Sequence, residues 1–494
     1  MLATALLLAS FTFAQDAAPS APPSEVVEAP AAAPAAEPAA APEPAVEPKK
    51  EEPKPEPKKE EPKPEPVLEP KKEEPKPEPK KEEPKPAPVV EVKKEAPVAK
   101  VSGPEEEYAF AKSAAEDADR DISEAAMADL ALFVRRYPES PLAPEAMLQL
   151  ASLRTKKGEW QPALTTLLRL LYEYPSTKVG LKAKSAYLEL VDKKASRKLR
   201  QPMADLVKLP EASDRADRLS YVWRKLADDA PDAVYEPLAE EIRDFFARFP
   251  DHKDGDKLQA QLARLHSFNG KSAAAMLACR KLLALYPDST LRSKAQMFVG
   301  DLYSEQLRDP KKALDAYQEL LAQYPSSPEV LPSLEKSAVI FSDKLRQYDL
   351  AVEMHEKIVT GFPKTASSLT SLKTIAKLQR DRLSKPADAI KTLARLSSMH
   401  GGQDGVDALL SAADFARRDL KDNARQAELL RKVADDYAAA KEAPQALFDS
   451  ANVYEVDLKD SGKALELFKE VETKFPSHKL SKKAADRAAK LAAL

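Results

Sequence analysis

The side chains best suited to acid–base chemistry or metal binding near neutral pH are five histidines, His252, His266, His355, His400 and His478. They share no motif, and none belongs to an HExxH or another metal-ligand spacing. Cys279, the one cysteine, lies in AAAMLACRKLLALYP. The apolar face of that stretch reads as helix core, so a buried structural thiol is expected and not a nucleophile. A lone cysteine also spares an exported protein from disulfide mispairing. The 11 glycines spell no phosphate-cradling or dinucleotide-binding loop, and HGGQDG at 400–405 reads as a turn between helices. The carboxylates are plentiful but spread around helix surfaces. The sequence therefore predicts no catalytic residue, no cofactor and no metal site, and it points away from an enzyme.

The elements that would carry a functional surface instead form a repeat. Aromatic–Pro pairs occur at Tyr137-Pro138, Tyr174-Pro175, Phe249-Pro250, Tyr286-Pro287, Tyr324-Pro325, Phe362-Pro363 and Phe475-Pro476. Their intervals of 37, 75, 37, 38, 38 and 113 residues are multiples of one unit, and Leu209-Pro210, His400 and Tyr437 stand near register in the gaps. Ala126, Ala163, Ala275, Ala313, Ala351 and Ala464 each precede such a pair by 11 residues. Ala389 keeps that distance from His400, and Ala427 falls ten before Tyr437.

Between these anchors, stretches such as DPKKALDAYQELLAQYP place apolar residues every three or four positions, which marks a helix with one buried face. Gly158, Gly270, Asp309-Pro310, Pro386 and Gly462 break each unit into two helices. After the aromatic, Pro ends one helix, and Ser or Asp caps the next, as in YPES and YPDS. An alanine at the anchor lets paired helices approach closely. Ala146, Ala183, Ala295, Ala446 and Ala484, nine residues after the aromatic, are read the same way in the first helix.

This pattern resembles tetratricopeptide repeats (TPRs), a family of helix-turn-helix solenoids. The aromatic-Pro-x-Ser form and the long period are most similar to the repeats of bacterial outer-membrane assembly lipoproteins and of the Tol-Pal-associated cell-division coordinator. The expected fold is all-α: a solenoid of about ten units over residues 104–494, with the terminal helix at 478–494 as cap. Altered packing or longer loops are expected at 191–240 and 395–437, where the aromatic–Pro pair is degraded.

The N-terminal hundred residues have another composition. MLATALLLASFTFA is too short an apolar run for a membrane helix, which needs about 20 residues. It reads as a signal peptide over residues 1–14, cut after Ala14, and so predicts a periplasmic protein. Residues 15–103 follow as a spacer containing KKEEPKPEP repeats, and 23 of the 43 prolines fall within 15–100. With no Phe, Tyr, Trp, Ile or Met there, this segment is expected to be disordered, and its prolines favour a stiff, extended form. Its Glu-Pro and Lys-Pro alternation resembles the periplasmic spacer of TonB-type proteins. The nonamer carries three Lys and three Glu, so no uncompensated basic run offers itself to nucleic acid. No later stretch is apolar enough to span a membrane.

The resemblance implies function through surface: a groove built mainly from first helices, which takes protein partners. Leu150, Arg154, Met297 and Tyr303, on first helices, are the candidates for partner binding. The leading expectation is a non-enzymatic periplasmic scaffold for other envelope proteins, serving outer-membrane or cell-wall maintenance, division, secretion or gliding motility. The alternative is a structural spacer or peptidoglycan-associated protein whose tail binds wall material.

Overall fold

The computed structural model describes residues 103–117, 119–208 and 214–493, and these fold into helices and turns alone. The signal-peptide and spacer readings, and Leu209-Pro210, lie outside the described residues. Consecutive helices pair as α1 (Pro104–Ala115) with α2 (Arg120–Arg136), α3 (Ala143–Lys157) with α4 (Trp160–Glu173), and α5 (Lys178–Lys194) with α6 (Arg197–Asp205). Next come α7 (Arg215–Asp229) with α8 (Tyr235–Arg248), α9 (Gly255–Phe268) with α10 (Ser272–Leu285), and α11 (Arg292–Asp301) with α12 (Pro310–Gln323). The series continues as α13 (Val330–Val339) with α14 (Tyr348–Gly361), α15 (Ala366–Asp381) with α16 (Pro386–His400), and α17 (Gly402–Phe415) with α18 (Asn423–Asp436). It ends with α19 (Ala443–Asn452), α20 (Ser461–Lys474) and an unpaired α21 (Lys479–Ala492), which packs on both.

Eight of the second helices stop at an aromatic residue for a local reason. Tyr137, Tyr174, Phe249, Tyr286, Tyr324, Phe362, Tyr437 and Phe475 all leave the helical region, with φ between −122° and −132°. Seven of the eight are followed by a proline that cannot continue the helix, and Tyr437 by Ala438. The ring then folds back on the start of the first helix of its own unit, which must be small there. A methyl group on Gly255 would lie 2.6 Å from the Tyr286 hydroxyl, and one on Gly405 would overlap Tyr437. His400 occupies the same place by polar means, its Nε2 lying 3.2 Å from Ser368 Oγ.

The mixture of 37- and 38-residue units has a physical origin at the end of the first helix. In the shorter units around α3 and α9, a glycine takes the left-handed conformation, Gly158 at φ 91° and Gly270 at φ 68°, each 21 residues after the aromatic. In the longer units the left-handed residue is Arg308, Arg346, Ser384 or Lys459, 22 residues after the aromatic. The extra residue is absorbed as a wider turn: Leu307, Leu345, Leu383 and Leu458 donate to the carbonyl five residues back. Three of these turns are π-helical, at Leu302–Gln306, Ile340–Lys344 and Val453–Asp457. A fourth π-turn, Ala416–Leu420, sits in a unit whose entry loop is one residue shorter, so Lys421 comes 21 after His400. From the left-handed residue to the next aromatic the distance is always 16.

The alanines Ala126, Ala163, Ala275, Ala313, Ala351, Ala389, Ala427 and Ala464 are all 0–1% exposed. The irregularity expected at 191–240 is present. There α6 is short, contains Pro202, and is tied down by the Tyr187 hydroxyl, which donates to the Met203 carbonyl at 2.9 Å. Helix α7 packs directly on α4 and α9, and α8 also reaches α4. The second irregularity, expected at 395–437, is absent: α16, α17 and α18 stack as elsewhere, because His400 and Tyr437 still fill the aromatic position.

Candidate functional site

The five histidines each have a structural partner. His266 Nδ1 lies 3.0 Å from the Tyr235 hydroxyl and His355 Nδ1 lies 3.1 Å from Ser371 Oγ, while His478 accepts the Leu480 N–H at 3.4 Å to cap α21. Burial lowers the pKa of both His266 and His355. His252 meets Asp217 and Asp254 in the one trio with metal-ligand proximity among the described residues. Its carboxylates already bear cations, however: Lys253 lies 2.8 Å from Asp217 and Lys257 2.9 Å from Asp254. That trio is an ion-pair network. Cys279 is 2% exposed, and burial pushes its thiol up to about 12, which keeps it un-ionised at neutral pH.

Two open grooves occur at equivalent places in the repeat, each between successive first helices with the intervening second helix as floor. The first, of about 340 Å³, lies between α3 and α5 over α4. Leu148, Leu167 and Leu190 are its larger apolar residues, and its charged residues are Lys156 and the paired Lys193 and Glu189. The second, of about 540 Å³, lies between α17 and the α19 end over α18. Leu410, Leu430 and Val456 are among its apolar residues, and its charged residues are Asp414, Asp449, Asp457 and Arg417. The correspondence is residue by residue. Leu167 and Leu430 each follow the left-handed residue by nine, Ala186 and Asp449 follow the aromatic by 12, and Lys193 and Val456 follow it by 19.

A family model described as tetratricopeptide repeat matches residues 145–177, which hold nearly all of α3 and α4, and 299–327, which hold the end of α11, the π-turn after it and α12. The chain carries tetratricopeptide repeats. Comparison with curated proteins returns no match. Among solved structures, similarity extends to a tetratricopeptide repeat protein from Parabacteroides merdae, at 16% identity over 56% of this chain and 98% of that one, with a TM-score of 0.29. PilW, a widely conserved type IV pilus biogenesis factor, is similar at 17% identity over 47% and 99%, with a TM-score of 0.26. The C-terminal part of a TPR-containing protein from Cytophaga hutchinsonii is similar at 14% identity over 55% and 98%, with a TM-score of 0.30.

Within the TPR array, the four residues read as partner contacts fall in different settings. Leu150 and Met297 are 5% and 3% exposed and pack between helices, Leu150 also lining, with Arg154, a small cavity of about 70 Å³ between α3, α4 and α8. Arg154 is half-buried, its guanidinium 2.5 Å from Thr166 Oγ1, and desolvation lowers its pKa. Tyr303 is half-buried beside Lys312, whose ammonium lies 5.8 Å from the ring centre. None of the four lines either groove. The repeat register marks what recurs, whereas the groove residues are set apart by what varies. Position 12 after the aromatic is Ala186, Lys336 and Asp449 in three units, and position 19 is apolar at Val456 but charged at Lys193, Glu305 and Asp343.

Proposed function

We propose that this protein is a non-enzymatic scaffold of the periplasm that gathers protein partners on the first-helix side of its TPR array, with residues 15–103 as a spacer. The observation that carries this reading is the pair of open grooves in one repeat register, each combining an apolar floor with charged edges. Such a surface buries a few anchor side chains of an extended or helical segment and orients it by charge. No helix among the described residues is long and apolar enough to cross a membrane. The export reading rests on the first 14 residues, and the partners are envelope proteins of a machine for envelope maintenance, division, secretion or gliding motility.

The test is crosslinking in the native cell from positions on the first helices, followed by mass spectrometry and by N-terminal sequencing of the mature chain. Proteins captured through the array, together with a start at Gln15, are the expected results. A mature chain that keeps Met1 in a cytosolic fraction would overturn the localisation. If deleting residues 15–100 abolishes envelope retention while the array captures nothing, a wall-binding spacer replaces the scaffold.

A further inference from the structure

The junctions between successive first helices can be compared within the chain, because the left-handed residue fixes their register. Between α11 and α13, Asp301 lies seven residues before Arg308 and Lys336 lies ten before Arg346. The two side chains meet at 2.5 Å, and the Tyr317 hydroxyl also donates to Asp301 at 2.6 Å. That junction supplies its own cation. Between α17 and α19 the same two positions are Asp414, seven before Lys421, and Asp449, ten before Lys459. Here a carboxylate stands where Lys336 stands in the other junction.

The surroundings leave this position unbalanced. Asp414 is met by Arg417 at 3.1 Å and Arg418 at 2.8 Å, both from the following turn. Asp449 accepts a hydrogen bond from the Gln445 amide at 2.9 Å and is also met by the Asn452 side chain, both uncharged, and neither it nor Asp457 of the same groove forms an ion pair among the described residues. Burial raises the pKa of Asp449, as expected for a carboxylate desolvated without a counter-charge. The groove is also unfilled on its apolar side: Val456 is 63% exposed beside Leu410 and Leu430.

We propose that this groove binds a basic and apolar peptide segment of a partner protein. A Lys or Arg side chain of that segment takes the place held by Lys336 at the α11–α13 junction, pairing with Asp449, and a neighbouring apolar side chain covers Val456. The equivalent groove between α3 and α5 has Ala186 at this position and Lys193, paired with Glu189, in place of Val456, so it is a built-in control that lacks the carboxylate. Complementary charge sets which segment is admitted, and the buried apolar contact holds it.

This inference rests on the scaffold reading and is tested on the full chain. A fluorescent peptide alternating Arg and Leu, and its Glu-for-Arg counterpart, are titrated by anisotropy, and the binding site is mapped by a photo-crosslinker installed at Val456. The Arg peptide should crosslink within α17–α19 and weaken as salt rises. Asp449→Lys rebuilds the α11–α13 pattern and should lower its affinity about tenfold or more, while Asp449→Glu should bind as the natural chain does. Equal binding of the Glu peptide, unchanged affinity in Asp449→Lys, or crosslinks only outside this groove would overturn the assignment. Partners captured in cells through another surface would do the same while leaving the scaffold intact. Capture of no partner at all would remove the scaffold reading itself.

Discussion

Single residues in this array act chiefly by being small or by carrying an unbalanced charge. Gly300 shows the first. A methyl group there would overlap the ring of Tyr317, which is 1% exposed and anchored to Asp301, so neither partner can yield cheaply. Gly300→Ala is expected to cost about 1–3 kcal/mol by overpacking, read as a lower urea midpoint with unchanged slope. Asp449 shows the second. Its folded pKa lies above the ordinary carboxylate value, so the folded state binds the proton more tightly and stability falls as pH rises above about 4. Asp449→Asn should therefore raise the melting temperature at neutral pH and leave it nearly unchanged in acid. A loss of stability at pH 7 would show that the carboxylate is already compensated. Stability gained by removing a residue that a ligand needs is a known mark of binding sites.

Elements are defined by how the first helix of each unit ends. A left-handed glycine closes the short units, whereas the long ones force Arg308, Arg346, Ser384 or Lys459 into the same conformation at φ 53–55°. That conformation costs a residue with a Cβ about 1–2 kcal/mol, partly offset by the greater unfolded entropy of glycine. Arg346→Gly should stabilise by about 0.5–1 kcal/mol in thermal or urea unfolding. A destabilised variant would mean that the arginine makes a compensating contact. The histidines add a pH dependence at this scale. Burial holds the folded pKa of His266 and His355 below 6.5, so the unfolded chain takes up protons first, and stability is lost as pH falls below about 6.5. His355→Gln should flatten part of that slope in melting curves recorded between about pH 5 and 7.5.

At the scale of the folded array, one buried ionic cluster joins α4 to α8 where the regular stacking breaks. The Arg169 side chain, 9% exposed, lies 3.0 Å from Asp244, 3.3 Å from Glu241 and 3.4 Å from Glu173. Arg248 pairs with Glu173 from the other side. Removing one member of a buried cluster leaves the opposite charges desolvated and unpaired. Arg169→Ala should therefore cost about 3–5 kcal/mol and open α8 to hydrogen exchange before the rest of the array. Uniform exchange across all helices would show that α8 is not held by this cluster.

The sequence by itself determined the repeat, because helix periodicity, the Pro that ends each second helix and the Ala at each close approach are all local requirements written at fixed spacing. It also indicated where regular stacking fails around 191–240, since the absence of an aromatic–Pro pair removes the cap that positions the next helix. Tertiary structure alone decided three things. His400 replaces an aromatic ring by reaching Ser368, a residue 32 positions away. Arg169, which is buried, and Glu241, 72 positions apart, meet at one junction. The position of the cation at the α11–α13 junction is taken by a carboxylate at α17–α19, and that carboxylate lies in an open groove. Each depends on which side chains the stacking of distant turns brings face to face, and a period read along the chain carries no information about charge across it.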